Sequence, residues 1–335
     1  MPDRMNSCKV TQFLEDRSGL DRWARDIGLS DGENASQVFK KLVSQDVDVD
    51  LLGRLIKILE RLLPLYGEAD RLLVTLGRFL QAVGSPLSTI ALFEREPEAL
   101  EALLAILATS PFLGEIVIAE PDVWERIRSG GGRPEKRESL RDILRSEVGD
   151  SLDSAFVMQV LRRFKRREIL RVAYGDIVKH QRLETVVDQI SAIADCIIDE
   201  ALRVALLQQQ QRRGSPITGD GRPATITVIA LGKLGGNELN YSSDIDLVFC
   251  YSEDGDIAGS KTYTTSEFFE RVVQQVTRLI ADQTELGAAY RVDLRLRPYG
   301  GQGPLVLPRV ALERYYDRQG RTWERQAWLK ARCVA

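Results

Sequence analysis

Histidine is almost missing from this sequence, which holds a single one, His180, among 335 residues. Imidazole is a frequent general base and a frequent zinc ligand, so a single histidine argues against chemistry built on imidazole bases and against a histidine-rich zinc site. Aspartate and glutamate are plentiful by comparison, with 49 residues. Any acid–base or metal chemistry must therefore depend on carboxylates.

Cysteines and long hydrophobic runs are also scarce. The four cysteines are scattered without a CxxC spacing, and the first residues, MPDRMNSCKV, lack the apolar stretch of a secretory signal. No run approaches the roughly 18 apolar residues that span a bilayer, since charges interrupt even DLLGRLIKILERLLPLY. We therefore expect a cytoplasmic protein without a membrane partner.

A strong excess of one charge is missing as well. The formal net charge is −3, with 28% of residues charged and 44% hydrophobic. A general nucleic-acid binder would carry a basic excess, so no nucleic-acid partner is expected. The length allows about two globular domains.

Helix-period apolar residues dominate from about residue 47 to about residue 128. Leu51, Leu55 and Leu59 share one face, and prolines at several points suit the first turns of new helices. The segment 129–134, SGGGRP, has the composition of a linker. It predicts an all-α N-terminal domain at 1–134 and a second domain at 135–335, while about the first 50 residues match no recognisable pattern.

The second domain begins with long helical patterns and then changes to strands. Together these patterns predict a predominantly helical α+β protein with a small mixed β-sheet core at 222–300. The expected helices are 151–179, 182–212 and 265–285, and the expected strands are 225–231, 244–251 and 289–296.

Two aspartates at the start of the second predicted strand are the first candidate site. Side chains alternate along a strand, so Asp244 and Asp246 point to one side while Ile245 and Leu247 point into the core. Neighbouring carboxylates repel unless a proton or a cation lies between them, and Mg²⁺ prefers hard oxygen ligands. The pair predicts a divalent-metal site; two solvated aspartates at a strand end are the alternative.

A glycine-rich turn, Gly232-Lys233-Leu234-Gly235-Gly236, follows the first predicted strand directly. Glycines let backbone N–H groups approach phosphate oxygens closely, so phosphate binding is expected beside the metal site. Lys233 is either a phosphate contact or an exposed turn lysine. Ser242 and Ser243 either bond phosphate oxygens or cap the turn.

A third carboxylate, Asp293, lies on the third predicted strand, whose alternation places Arg291, Arg295 and Arg297 on the same face. Guanidinium groups match phosphate geometry, so Arg295 and Arg297 are candidate nucleotide contacts. Three carboxylates suit two-metal phosphoryl transfer, in which one ion activates the incoming oxygen and the other neutralises the leaving group. Asp293 would help to bind the activating ion. An amphipathic edge strand with a solvated face is the alternative.

A basic run, LRRFKRRE at 161–168, lies on the first long helix of the second domain. Such a run usually forms a solvated helix face. A contact with phosphate or with an acidic partner is the alternative.

Three long motifs carry a family resemblance: VIALGKLGGNELNYSSDIDLVFCY, YRVDLRLRPYGGQGPLVLPRVALERYY and GRTWERQAWLKAR, in this order. With them, the chain resembles the glutamine synthetase adenylyltransferase/adenylyl-removing enzyme family, a branch of the DNA polymerase β-like nucleotidyltransferases. The helical stretches before the core are also similar, so the resemblance covers most residues beyond about 70. It implies that the mixed sheet is a nucleotidyltransferase core.

The resemblance implies roles for residues that match the motifs. Asp244, Asp246 and Asp293 would be catalytic carboxylates that bind Mg²⁺, while Gly235 and Gly236 would line the nucleotide phosphates. The protein substrate would be glutamine synthetase, with ATP, ADP and phosphate as small-molecule partners. A PII signalling protein is a further candidate partner.

Full-length members of this family hold two such cores, one that attaches AMP to a tyrosine of glutamine synthetase and one that removes it by phosphorolysis to give ADP. This chain holds one core, and an excised N-terminal fragment is expected. YRVD at 290–293 and GRTWER at 320–325 look like the AMP-removing half, whereas 87–127 equally resembles helices ahead of the other half. Removal is the preferred direction and ATP-dependent adenylylation the first alternative.

Two other functions remain open. A regulatory module would bind nucleotide or a PII protein without turnover. A nucleotidyltransferase with a small acceptor would share only the core, although the long tract RPYGGQGPLVLPRVALERYY argues against it.

Overall fold

A computed structural model describes residues 12–13, 15–30, 32–45, 47–258 and 263–335. The chain divides into two units, one of residues 1–133 and 173–181 and the other of residues 134–172 and 182–335. The two-domain boundary at residue 134 stays a prediction. Most residues of segment 1–50, whose sequence matched nothing recognisable, lie in the described part from residue 12 onward and form helices.

The first unit is helical throughout its described part. Four consecutive helices begin at a proline, namely Pro86, Pro97, Pro111 and Pro121, because a helix leaves its first N–H groups unpaired and proline has none to lose. Apolar side chains recur at helical spacing and are buried, for example Leu52, Leu55 and Leu59. The helices are α1 Arg17–Asp26, α2 Gly32–Val43, α3 Val49–Leu62, α4 Ala69–Ala82, α5 Pro86–Arg95, α6 Pro97–Thr109, α7 Pro111–Ala119 and α8 Pro121–Gly130.

The second unit opens with three helices, α9 Arg137–Val148, α10 Ser154–Ile177 and α11 Leu183–Arg213, of which α10 continues into the residues grouped with the first unit. The two long ones lie within a few residues of the predicted ranges. None of the helices in the described ranges has the length and apolarity that a bilayer crossing requires.

A mixed five-stranded sheet follows these helices, as predicted. Strand β2 (Ile226–Ala230) pairs antiparallel with β3 (Ile245–Tyr251) and with β7 (Arg332–Cys333). Strands β5 (Val292–Asp293) and β6 (Val306–Pro308) both run parallel to β3, the first beside its start and the second beside its end. Two further strands, β1 Pro216–Thr218 and β4 Gly255–Ile257, form a separate antiparallel pair.

Helices cover both faces of the main sheet. On one face, Val248 and Cys250 of β3 pack with Leu231 and with Leu312 of α14 (Arg309–Arg318). On the other, Tyr251 stacks on Phe269 of α13 (Thr265–Ala281) at a ring-centroid distance of 5.0 Å. Short helices at Gly232–Gly235 (α12) and Thr322–Ala327 (α15) complete the core. The predominantly helical α+β class is confirmed.

The third predicted strand is mostly wrong. Only Val292–Asp293 forms a strand, because the chain turns immediately after Asp293. Arg297 then lies in the turn region and binds backbone carbonyls of the next loop. The expected row of arginines along one strand face therefore does not form.

The basic run at 161–168 is neither a wet face nor a phosphate site at its most buried position. Arg162 is only 1% exposed, and its guanidinium donates to the carbonyl oxygens of Leu279 at 2.8 Å and Gly287 at 2.8 Å. Lys165 donates to the carbonyl of Ala289 at 2.5 Å and lies over the Tyr290 ring. Arg162 thus lies at the end of α13, where carbonyls lack helical partners and the helix dipole is negative, while Lys165 binds the segment that follows.

Candidate active site

Strand pairing brings Asp246 and Asp293 together. In the parallel pair of β3 and β5, Ile245 lies beside Val292 and Asp246 lies beside Asp293, so both carboxylates project on the same side. Ile245 and Leu247 are fully buried, whereas Asp246 is only partly buried, as the alternation predicted. Asp244 directly precedes β3 and remains 42% exposed.

The first residue of the glycine-rich turn touches this carboxylate pair. Gly232 has φ +56°, and a Cβ atom placed on it would lie 2.6 Å from Oδ2 of Asp246. The neighbouring Leu231 donates its N–H to the carbonyl of Asp246 at 2.9 Å. Only glycine accommodates both the positive φ and this close approach, so backbone rather than side chain borders Asp246.

The pKa values of the two paired carboxyls move in opposite directions. Burial raises the pKa of Asp246, and the negative charges of Asp293 and Asp244 raise it further. Hydrogen bonds from Arg295 hold the pKa of Asp293 below its usual range. Of this in-register pair, Asp246 is therefore the carboxyl whose ionised form is disfavoured by burial and by the neighbouring negative charges.

Arginines bind the other two carboxylates. Arg291 donates from Nε to Oδ1 of Asp244. Arg295 donates to Asp293 from its backbone N–H at 2.7 Å and from Nη2 at 2.5 Å. Both guanidinium groups are largely exposed, at 78% and 82%, so water competes with these ion pairs and they are weak.

The predicted divalent-metal site can now be compared with the arrangement of these carboxylates and arginines. Within the described ranges, no three side chains of His, Cys, Asp or Glu converge closely enough to hold an ion. The donor chemistry nevertheless suits a hard divalent cation, since burial and the negative charges of Asp293 and Asp244 disfavour the ionised form of Asp246, which a bound cation would stabilise. The arginines occupy oxygens that such an ion would use.

The predicted phosphate-binding glycines are engaged elsewhere. Gly235 donates its N–H to Leu231 O at 2.9 Å, and Gly236 donates to Gly232 O at 3.2 Å. A Cβ on Gly235 would lie 2.2 Å from the carbonyl oxygen of Lys330, so this glycine is needed for packing. The helix α12 begins at Gly232 and Lys233 instead, and the first N–H groups of a helix have no acceptor within it.

The remaining predicted contacts lie at different depths. Lys233 and Ser242 are exposed beside the turn, and Ser243 bonds Asn240 through its hydroxyl. Arg297 is buried and donates to Leu294 O at 2.7 Å and to carbonyls of residues 301–304, which places it inside the loop. Arg295 therefore bonds the carboxylate of Asp293 directly, whereas Arg297 lies close enough for its charge to act on Asp293 but spends its hydrogen bonds on backbone carbonyls.

Two site residues received no role from the sequence patterns. Gly232 was treated only as one of five turn residues. Its position directly after the strand, where the chain turns most sharply, could have identified it as a site residue. Arg291 was visible only as one of several arginines around Asp293. Its pairing with Asp244 required knowledge of strand order, because the two residues are 47 positions apart.

A strand–turn–strand unit that carries two aspartates, with a third aspartate on a parallel neighbour, is the arrangement expected of a nucleotidyltransferase core. Residues 100–335 match the family model of glutamate-ammonia ligase adenylyltransferase. The chain belongs to this family.

Two similar proteins share the name bifunctional glutamine synthetase adenylyltransferase/adenylyl-removing enzyme. One, from Thioalkalivibrio sulfidiphilus (strain HL-EbGR7), is 39% identical over 237 residues, which is 70% of this chain and 24% of that protein. The other, from Shewanella loihica (strain ATCC BAA-1088 / PV-4), is 36% identical over 239 residues, 71% of this chain and 25% of its own length. This chain spans about a quarter of the length of these relatives.

Proposed function

We propose that this chain carries a metal-dependent nucleotidyltransferase core that removes AMP from a modified tyrosine of glutamine synthetase by phosphorolysis. A phosphate oxygen attacks the phosphorus of AMP, the bond to the tyrosine oxygen breaks, and the tyrosine oxygen takes up a proton. The products are ADP and the free tyrosine. The observation that carries the proposal is the in-register pair of Asp246 and Asp293 beside the Gly232 turn.

Mg²⁺ is the proposed cofactor, and Asp244, Asp246 and Asp293 are its proposed ligands. When bound, the ion would offset negative charge on the reacting phosphates and activate the incoming oxygen. Asp246 is the central ligand because it is the one not engaged by an arginine side chain. Arg291 and Arg295 must turn away from Asp244 and Asp293, which exposed guanidinium groups can do at little cost.

The chain's own groups also supply a place for phosphate. Arg295, once released from Asp293, lies beside the carboxylates with several N–H donors for phosphate oxygens. The first turn of α12, whose Gly232 lies against Oδ2 of Asp246, offers further backbone N–H groups. Lys233, Ser242, Ser243, Gly235 and Gly236 remain proposed nucleotide contacts of the same region, and Arg297 supports the loop behind it.

The direction of transfer is proposed from the motifs YRVD and GRTWER, which look like the AMP-removing half of the family. The chain should be incubated with adenylylated glutamine synthetase, inorganic phosphate and Mg²⁺. We expect ADP to appear as AMP is lost from the tyrosine. AMP incorporation into unmodified glutamine synthetase from ATP, without removal, would instead support adenylylation.

Asp246→Asn tests the proposed role of the central carboxylate, because asparagine keeps the shape and removes the charge. We expect AMP release to fall by at least about 100-fold. Mn²⁺ binding, followed by the electron paramagnetic resonance of the free ion, should weaken in parallel. Asp256→Asn is the matched control, since Asp256 is an exposed aspartate of β4 in the separate two-stranded sheet.

The outcomes separate the candidate functions. Magnesium-dependent ADP binding without turnover, equal in wild type and Asp246→Asn, would favour a regulatory binding module. Transfer of AMP to small hydroxylated acceptors but not to glutamine synthetase would favour a small-acceptor enzyme. A folded wild-type chain with neither binding nor transfer would contradict the proposal.

A further inference from the structure

Helix α11 carries a buried carboxylate, Asp195, that two arginines bind. Its side chain is 1% exposed. Arg137, at the start of α9, forms an ion pair with Oδ2 at 2.6 Å. Arg332, on β7, donates to Oδ2 at 2.7 Å and to Oδ1 at 3.1 Å. Such a carboxylate needs partners because burial opposes its charge, and either arginine alone would still supply one.

Arg332 also binds the glycine-rich turn. Its Nη2 donates to Leu234 O at 2.9 Å and its Nε donates to Gly235 O at 3.3 Å. These carbonyls close the short helix α12, where the chain itself offers few donors for them. Arg137 makes no hydrogen bond to the turn within the described ranges, although it binds the same carboxylate.

The turn is held at both ends. Its first residue, Gly232, borders Oδ2 of Asp246, and its last residues accept hydrogen bonds from Arg332. Gly235 also fits directly against the carbonyl of Lys330, two residues before Arg332. The helix α12 between these contacts has only four residues, Gly232–Gly235, which is too short to absorb a shift at one end without moving the other. Its distance from Asp246 therefore depends on where Arg332 holds it.

We infer that Arg332 is a positioning residue of the AMP-transfer site, which acts by fixing the glycine-rich turn against Asp246 while Asp195 fixes the arginine. The inference rests on the proposed function, because it concerns the same site. Arg332 itself reaches the site only through the carbonyls of the turn. It supplies geometry, and it takes no part in bond making.

The two arginines provide a matched pair of variants. Arg332→Ala removes the bonds to the turn but leaves Asp195 paired with Arg137. Arg137→Ala removes the other ion pair and leaves Arg332 on the turn. Both variants retain one cation on the buried carboxylate. Arg332→Ala should nevertheless lose more thermal stability than Arg137→Ala, because it also gives up the hydrogen bonds to Leu234 O and Gly235 O. Arg332→Lys, which keeps a charge beside Asp195 and one donor group, should be intermediate.

Two measurements follow the turn and the site separately. Amide hydrogen exchange of Gly235, Gly236 and Glu238 reports whether the turn stays closed, since their N–H groups bond Leu231, Gly232 and Lys233. In Arg332→Ala we expect exchange at these amides to accelerate by at least about tenfold relative to wild type. Calorimetry should show a dissociation constant for ADP with Mg²⁺ raised by about tenfold or more, with kcat lowered as well. Arg137→Ala should change neither by more than about twofold.

Equal effects of both alanine variants on exchange and on ADP binding would overturn the inference, because Arg332 would then act only through the buried ion pair. Unchanged exchange in Arg332→Ala would overturn it too. If Arg332→Ala does not fold, the same comparison uses Arg332→Lys against Arg137→Lys. If wild type neither binds ADP nor transfers AMP, the proposed function fails, while the exchange comparison still decides whether Arg332 holds the turn.

Discussion

Replacing Gly232 with alanine should displace the carboxylate on which the proposed chemistry depends. The new Cβ would lie 2.6 Å from Oδ2 of Asp246. Ordinary carbon–oxygen contacts begin at about 3.3 Å, so the oxygen or the turn must move by roughly 0.7 Å. The atom that must move is the end of a flexible side chain, and its rotation alone costs little. It is also the proposed metal ligand.

The structure separates the stability cost from the functional cost of this change. Gly232 has φ +56°, a left-handed conformation that costs alanine about 1–2 kcal/mol. A displacement approaching 1 Å in an active site can lower the rate by about 100-fold. We therefore expect Gly232→Ala to lose about 1–2 kcal/mol of unfolding free energy and roughly 100-fold in AMP release.

Gly131→Ala is the control for backbone strain. Gly131 directly follows α8 as its C-cap with φ +70°, and a Cβ placed there meets nothing within 4 Å. Its alanine variant should lose a similar amount of stability and keep its activity. Urea unfolding and the ADP-release assay measure the two quantities. If Gly232→Ala keeps wild-type activity while it is destabilised like the control, the proposed contact between turn and carboxylate has no functional weight.

Three further predictions concern the frame around the site. Burial, with a smaller contribution from Arg162, lowers the pKa of Lys165 to about 8 from 10.5. Between these two pH values the folded state binds fewer protons than the unfolded state, so the free energy of unfolding should rise with pH by up to about 3 kcal/mol. Urea unfolding should show this rise in wild type but not in Lys165→Met. Phe269→Ala should cost about 3–5 kcal/mol in urea unfolding, because a fully buried ring stacked on Tyr251 is lost. Thr264→Ala should cost about 1 kcal/mol by the same measurement, since the hydroxyl caps α13 at the N–H of Glu267, and Thr264→Ser should restore most of it.

Local patterns in the sequence were sufficient for the main elements. Strands β2 and β3, helix α13 and the two long helices lie within a few residues of their predicted ranges, apart from the last turn of α13. Alternation also placed Asp246 on the opposite side from Ile245 and Leu247, because side chains of a strand alternate wherever the strand lies. The third strand was overestimated because the alternation of arginines continues beyond Asp293, where the chain turns.

Charge alone did not reveal what each arginine binds. Arg297 and Arg162 were read as surface or phosphate-binding groups, yet both are buried against backbone carbonyls. Apart from Met158 O in its own helix, the acceptors of Arg162 lie more than 100 residues along the chain, at the end of α13 and in the loop that follows it. No periodicity of the basic run itself could indicate them, since a guanidinium group binds carbonyl, carboxylate and phosphate oxygens alike.

The sequence by itself determined which residues could do metal and phosphate chemistry: three aspartates, a glycine-rich turn and a group of arginines. Only the tertiary structure decided that Asp246 lies in register with Asp293 and that Gly232 lies against Asp246. It also decided that the carbonyl of Lys330 occupies the space where a Cβ atom of Gly235 would lie. These relations depend on strand order and on contacts between segments distant in the chain. Side-chain periodicity describes one element at a time, whereas a site is made where several elements meet.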